Sequence, residues 1–239
     1  MMTETVNKAT KHGRAKAVVC LSGGMDSCVC AALAARDYDA YALHFSYGQR
    51  TEARELASAQ AIAARLGFKG FLHLKIELFR QIGGSALTDL SIDVPKAPAQ
   101  PAAIGSEIPV TYVPFRNAHF LSAAVSWAEV LGASSILIGA VEQDSSGYPD
   151  CRPAYYAAFQ HLIETGTKDG AIQIDTPLIR LRKWQIVELG LELQAPLDIT
   201  WSCYSGAEKA CGECESCVLR LQAFEQAKAQ DPIPYVSKA

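Results

Sequence analysis

Short apolar runs alternate with longer stretches whose apolar residues recur every three to four positions. Residues 15–21 predict a first strand, and residues 26–36 continue as an alanine-rich helix. The run DAYALHF (39–45) predicts a second strand. A helix over 50–66 follows, with Gly67 placed to cap its C-terminus. Residues 71–75 form a third strand. A helix over 118–131 has Asn117 in position to cap its start and Gly132 just past its end. SSILIG (134–139) supplies a fourth strand from Ser135. A helix over 154–165, a short strand near Ile172, a helix over 183–189 and a last helix complete the pattern. Short apolar strands separated by helices of this length predict an α/β fold with a doubly wound parallel sheet. Between the third strand and Val110 the pattern breaks. DVPKAPAQPAAIGSEIP is rich in Pro and Ala without a period, and predicts an exposed, mobile excursion. Three regions result: a polar, flexible arm (1–14), the α/β domain (15–190), and a C-terminal segment (191–239) with a cysteine cluster and the last helix.

With 239 residues and 49% hydrophobic content, the chain suits one large domain with a small appendage. A formal net charge of -3 gives no sign of a broad nucleic-acid surface. No run approaches the roughly 18 apolar residues of a membrane span. The start, MMTETVNKATKHGRAK, is polar and lacks an apolar h-region, so no secretory signal is expected. Of eight cysteines, Cys20, Cys28, Cys30 and Cys151 are scattered, and Cys203, Cys211, Cys214 and Cys217 fall within fifteen residues. A reducing cytoplasm, with the clustered four on a metal, is the simplest setting.

LSGGMDS (21–27) stands between the first strand and its helix, where open α/β sheets bind ligands. Glycine lets successive N–H groups converge on an anion, and a helix N-terminus adds positive potential. Ser22 and Ser27 can donate hydroxyl hydrogen bonds. The loop lacks the lysine of the G-x-x-x-x-G-K-[ST] type. Asp26 repels bare phosphate and makes sense with Mg²⁺ between the two.

Cys203-x7-Cys211-x2-Cys214-x2-Cys217 offers four thiolates in a short loop, with Gly206 and Gly212 permitting tight turns. A closed Cys₄ set suits structural, tetrahedral Zn²⁺. An iron–sulfur cluster is the rival, because C-x2-C-x2-C also occurs in ferredoxin-like runs. Three further segments, YGQR (47–50), FRNAHF (115–120) and GYPDCR (147–152), lie at strand ends or helix starts, from which they can converge on one rim with the loop. Locally, Arg50 can pair with Glu52 or Glu55, and Asp150 with Arg152. His44 reads as a core histidine, and His119 as either a cap or a ligand.

S-G-G-x-D-S resembles the signature of the PP-loop ATP pyrophosphatases, which cleave ATP between the α and β phosphates. The ordered set LSGGMDS, FSYGQR, VPFRNAHFLS, DSSGYPDCR, TPLIRLRKWQI and TWSCYSGAEKACGECESCVLR resembles the 7-cyano-7-deazaguanine synthase family of queuosine biosynthesis, over roughly residues 18–224. The resemblance implies an adenine nucleotide alpha hydrolase-like fold with a zinc-binding helical appendage. It also implies an ATP-dependent ligase that turns 7-carboxy-7-deazaguanine and ammonia into the nitrile through adenylated intermediates, and a cytoplasmic homodimer. ATP would lie on Leu21, Ser22, Gly23, Gly24, Met25, Asp26, Ser27, Cys28, Val29, Cys30 and Ala31, with Mg²⁺ at Asp26. Lys183 of RKWQI would supply the missing lysine and act with Asp26 in catalysis. For the deazaguanine, Asp144 or Asp150 is the acceptor, Arg116, Asn117 or Arg152 the donor, and Tyr148 the stacking ring. Zn²⁺ would take Cys203, Cys211, Cys214 and Cys217. Ser46 replaces the acid of the family's D-Y-G-Q-R, which removes any carboxylate role at that position. A tRNA sulfur transferase with an iron–sulfur cluster would need a basic face. A zinc-ribbon module with a degenerate nucleotide fold is at odds with the intact loop. A ligase for another carboxylic acid would share all the chemistry.

Overall fold

A computed structural model describes residues 13–97, 108–142, 148–205 and 208–236. Its elements are β1 (Lys16–Cys20), α1 (Met25–Asp37), β2 (Asp39–Ser46), α2 (Glu52–Arg65), β3 (Gly70–Lys75), α3 (Leu78–Ile82), α4 (Arg116–Leu131), β4 (Ser135–Ile138), α5 (Pro153–Gly166), β5 (Gln173–Asp175), α6 (Lys183–Glu192) and α7 (Glu215–Gln226). The five strands are parallel, in the order β3-β2-β1-β4-β5. The chain winds outward from β1 to β3, then returns to pair β4 with the other edge of β1. Strand order therefore reverses between β1 and β4, and a crevice opens above their C-terminal ends.

Alternating side chains of β1 serve opposite faces of the sheet, as the period of two demands. Ala17, Val19 and Leu21 pack with α1, α2, α6 and α7, through residues such as Val29, Ile62, Ile186 and Phe224. Val18 and Cys20 pack with α4 and α5, through Leu121, Ala124, Phe159 and Ile163. The C-terminal segment shares the first of these cores, because Leu197, Ala223 and Phe224 belong to it. A small third core holds Trp201, Cys203, Ala210, Cys214, Cys217 and Ile233.

Gly67 and Gly132 stand in the left-handed region at φ 70° and 63°, where the helix-stop reading places them. Asn117 does not cap α4. The helix starts one residue before it, and the capping position is Phe115 at φ 56°, a costly conformation for a bulky residue. The five-residue α3 has too few turns to show a period, so the hydrophobic pattern gives no sign of it. Arg50 pairs with neither glutamate. Its guanidinium donates to the carbonyls of Ala86, Asp89 and Ile92 and so gathers the segment after α3. The near end of the Pro/Ala-rich excursion is tied down, because Ala97 N donates to Glu213 O at 2.9 Å beside Cys214. Residues 98–107, and residues 1–12 of the N-terminal arm, lie outside the described residues.

Candidate active site

The glycine loop closes the C-terminal end of β1. Gly23 takes φ 93°, and a Cβ there would meet the Glu55 carbonyl oxygen at 2.4 Å. Only glycine lets α2 approach the loop so closely. Gly24 occupies the N-cap of α1 without a side-chain cap, so the first-turn N–H groups face the crevice unspent. Ser22 Oγ accepts from Gly24 N at 3.2 Å, and Ser27 Oγ donates to Gly24 O at 3.0 Å. Gly139 ends β4 directly against this turn. A Cβ there would lie 2.9 Å from the Asp26 carbonyl carbon and oxygen and 3.0 Å from Ser27 N. Those atoms are backbone and cannot rotate away. Gly139→Ala should therefore displace the loop and weaken MgATP binding about tenfold, the equivalent of about 1.4 kcal/mol. Calorimetric titration measures it, and unchanged affinity would remove Gly139 from the site.

Lys183 opens α6, 157 positions downstream of Asp26, and its Nζ donates to Asp26 Oδ2. The two side chains are only 16% and 25% exposed, so Lys183 is no solvated surface lysine. The other carboxylate oxygen, Asp26 Oδ1, is buried with no hydrogen-bond partner. A free anionic oxygen at this point, beside open N–H groups, fits a divalent cation carried with phosphates.

Two adjoining cavities meet here. The larger, about 300 Å³, reaches from Ser22, Gly24 and Ser27 past Leu43 and Phe45 to Gln49 and Glu55. The smaller, about 230 Å³, contains Lys183, Ser202, Ser216 and Arg220. Met25, Asp26, Arg116, Tyr148, Cys151 and Tyr204 are among the residues lining both. Leu21, Ser22, Gly24, Met25, Asp26 and Ser27 thus face the larger cavity. Cys28, Val29, Cys30 and Ala31 do not: each is fully buried on the core side of α1. Four consecutive helical residues sweep through most directions, and this helix is packed nearly all round. Burial pushes the Cys28 thiol up to about 12, as it does that of Cys20.

YGQR builds the far wall. Gly48, at φ 81°, turns the chain, and Gln49 knits the turn by accepting from Tyr47 N and donating to Phe45 O and Glu55 Oε2. Glu55 is half-buried, and desolvation raises its pKa against the hydrogen bonds from Thr51 and Gln49. Ser46 points elsewhere, to His73 Nε2 at 2.7 Å, so position 46 does not serve the cavity. His44 is a core histidine whose Nδ1 contacts Leu21 O at 2.8 Å, and burial lowers its pKa. His119 packs edge-on against Phe79 and Phe115 and lines neither cavity.

Of the candidates for the deazaguanine, Arg116, Asn117 and Tyr148 line the larger cavity. Arg116 donates to Tyr47 Oη at 3.1 Å, and its Nε is buried and unpartnered. Tyr148 Oη lies 3.0 Å from Thr111 Oγ1. Asp150 faces α4 instead. Its Oδ2 accepts from Asn117 N at 3.2 Å, while Asn117 Nδ2 donates to the Asp150 carbonyl at 3.1 Å. The carboxylate therefore satisfies an end of α4 that lacks a capping side chain. Asp150 makes no ion pair with Arg152, which is exposed, and neither residue lines either of these two cavities. Asp144 lies outside the described residues. Tyr47, Gln49, Glu55, Cys151, Ser202 and Tyr204 join the lining without having been singled out as ligands, since nothing in local spacing reports which turn residues face inward.

The four clustered cysteines place their Sγ atoms within 4.8 Å of one another. Sulfurs about 2.3 Å from a common tetrahedral ion stand about 3.8 Å apart; Cys211 and Cys217 Sγ are 3.9 Å apart. Backbone N–H groups of Ser205 and Cys211 donate to Cys203 Sγ, and those of Glu213 and Cys214 to Cys211 Sγ. Such donors stabilise thiolate charge. The donor set fits a structural metal ion. Its loop is also a wall of the site, because Trp201 N donates to Gly23 O at 2.8 Å.

A strand-order crevice, a lysine-free glycine loop with an acid–lysine pair above it, and a four-thiol knuckle thus meet at one site of an α/β protein. The chain matches the family described as "Queuosine biosynthesis protein QueC" over residues 16–228 and belongs to it. It is 81% identical to the 7-cyano-7-deazaguanine synthase of Acidobacterium capsulatum, over 94% of this chain and 98% of that one. With the enzyme of the same name from Koribacter versatilis it shares 62% identity, over 97% and 98% of the two chains.

Proposed function

We propose that the protein is an ATP-dependent ligase that converts 7-carboxy-7-deazaguanine and ammonia into 7-cyano-7-deazaguanine. The observation that carries this reading beyond family membership is the meeting of Lys183 with Asp26 where the two cavities join. An adenylating site needs a seat for pyrophosphate, a cation at the α-phosphate and an acceptor pocket on its far side. The loop, Lys183 and the second cavity correspond to these. The carboxylate oxygen attacks the α-phosphorus and expels pyrophosphate; ammonia then displaces AMP to give the amide. A second adenylation on the amide oxygen, followed by loss of AMP and a proton, leaves the nitrile.

In this reading the N–H groups of α1's first turn, with Ser22 and Ser27, hold the leaving pyrophosphate. The adenine takes the apolar slot at Leu43 and Phe45, and Arg116 with Tyr148 orients the deazaguanine. Asp26 Oδ1 would hold Mg²⁺, which neutralises phosphate charge when bound. Cys203, Cys211, Cys214 and Cys217 would hold Zn²⁺, which fixes their loop. The same reading makes the protein a cytoplasmic homodimer that needs no nucleic acid. Leu78 and Ile82, four apart on α3 and 37% and 64% exposed, supply apolar surface for an interface. Mass spectrometry of the product after incubation with the carboxylate, ammonium and MgATP should show the nitrile; AMP formation without it would sink the proposal.

A further inference from the structure

Arg220 closes the cysteine motif, yet its side chain is almost wholly buried, at 2% exposure. A guanidinium has five N–H donors, and here every one is spent. Nε and Nη2 form a bidentate pair with Asp231 at 2.8 and 2.9 Å. Nη1 donates to Thr200 Oγ1 at 2.7 Å and Ser202 Oγ at 3.5 Å, and Nη2 also reaches Leu197 O at 3.3 Å. Asp231 in turn accepts from Tyr235 Oη at 2.6 Å and from Ile233 N. The network joins the C-terminal tail, helix α7 and the strip 197–202. That strip ends on the glycine loop. Trp201 N holds Gly23 O, Arg54 covers the Trp201 ring at 4.6 Å, and Ser202 lines both cavities.

Burying an ion pair is expensive, and an apolar pair of the same volume often gives equal or better stability. The pair's directional reach is what an apolar replacement would lack. We propose that the Arg220–Asp231 pair is a positioning device that presses Trp201 and Ser202 onto the glycine loop and so sets the geometry of the nucleotide seat. Neither residue does chemistry: Arg220 edges the smaller cavity with every N–H already spent, and the pair acts through the Trp201–Gly23 contact. The inference rests on the reading of the loop as the ATP seat.

Asp231→Asn keeps the shape and removes the charge that fixes the guanidinium. MgATP should bind it about tenfold more weakly than it binds the wild type, the size of loss that outer-shell partners produce at metal sites. KM for MgATP should rise by a similar factor with kcat within about threefold, and one metal ion per chain should be retained. Tyr235→Phe removes a single hydrogen bond to Asp231 and should move affinity in the same direction by less; it decides the matter if the first variant does not fold. Affinity equal to wild type in the folded variants, with only a lower melting temperature, would reduce the pair to a structural role. Failure of the wild type itself to bind MgATP would instead overturn the ATP reading of the loop.

Discussion

Lys183→Ala should lower kcat by about 10²–10³-fold, the loss seen when a single donor to developing transition-state charge is removed. The argument starts from a loop that has no cation of its own. In LSGGMDS, charge complementarity must come from helix N–H groups and from whatever other elements bring. α6 brings Lys183 at a helix start held by Gln185, which accepts from Arg182 N. Its ammonium meets Asp26 at the junction of both cavities, mostly shielded from water. A shielded charge acts through a lower effective dielectric, so in the proposed reaction its effect on an α-phosphate should exceed that of a surface lysine. Charge grows at that phosphate during attack, so the loss should fall on kcat more than on KM for ATP. Lys183→Arg keeps the charge but not the compact ammonium, and should recover only part of the rate. Steady-state release of AMP measures both variants. A kcat for Lys183→Ala within threefold of wild type would remove Lys183 from the chemistry.

The alternation of apolar strands and helices was legible because this sheet is parallel and buried on both faces. Such strands are short continuous apolar runs, as in AKAVVC and SSILIG. Ligand loops were legible where they carry unusual residues, as in the SGG-x-DS loop and the cysteine knuckle. Facing direction was not. Cys28 to Ala31 read as loop neighbours but point into the core, since α1 is enclosed by sheet and helices on most sides. Asp150, one of two acids offered for the base, spends one carboxylate oxygen on α4, because Phe115, in the left-handed region, leaves that helix without a capping side chain. Arg220 read as the tail of a motif, and only its partners at positions 197, 200, 202 and 231 reveal its reach. Each miss depends on contacts made far along the chain, which local spacing does not encode.

Removing the metal should cost more than the knuckle alone. The third core is small: Trp201, Ala210 and Ile233 around Cys203, Cys214 and Cys217. Without an ion nothing holds the four sulfurs within 4.8 Å of one another, and nothing apolar replaces the lost bonds. Structural zinc sites contribute folding free energy directly, with apparent values of about 10–16 kcal/mol in isolated fingers. Losing even about 4 kcal/mol should shift Tm by about 10 °C in a chain of this size. The strip between the first core and the cysteines would loosen at the same time, and with it the Trp201–Gly23 bond that closes on the glycine loop. Chelation should therefore abolish MgATP binding along with thermal stability, and Cys203→Ser should reproduce both losses. Elemental analysis should find one zinc per chain in a colourless protein. A brown protein absorbing near 400 nm would assign the four thiolates to an iron–sulfur cluster instead. A metal-free protein with unchanged Tm and unchanged ATP affinity would detach the knuckle from the active site, and leave the loop's support from the C-terminal side to the Arg220 brace and to Leu197, Ala223 and Phe224 of the first core.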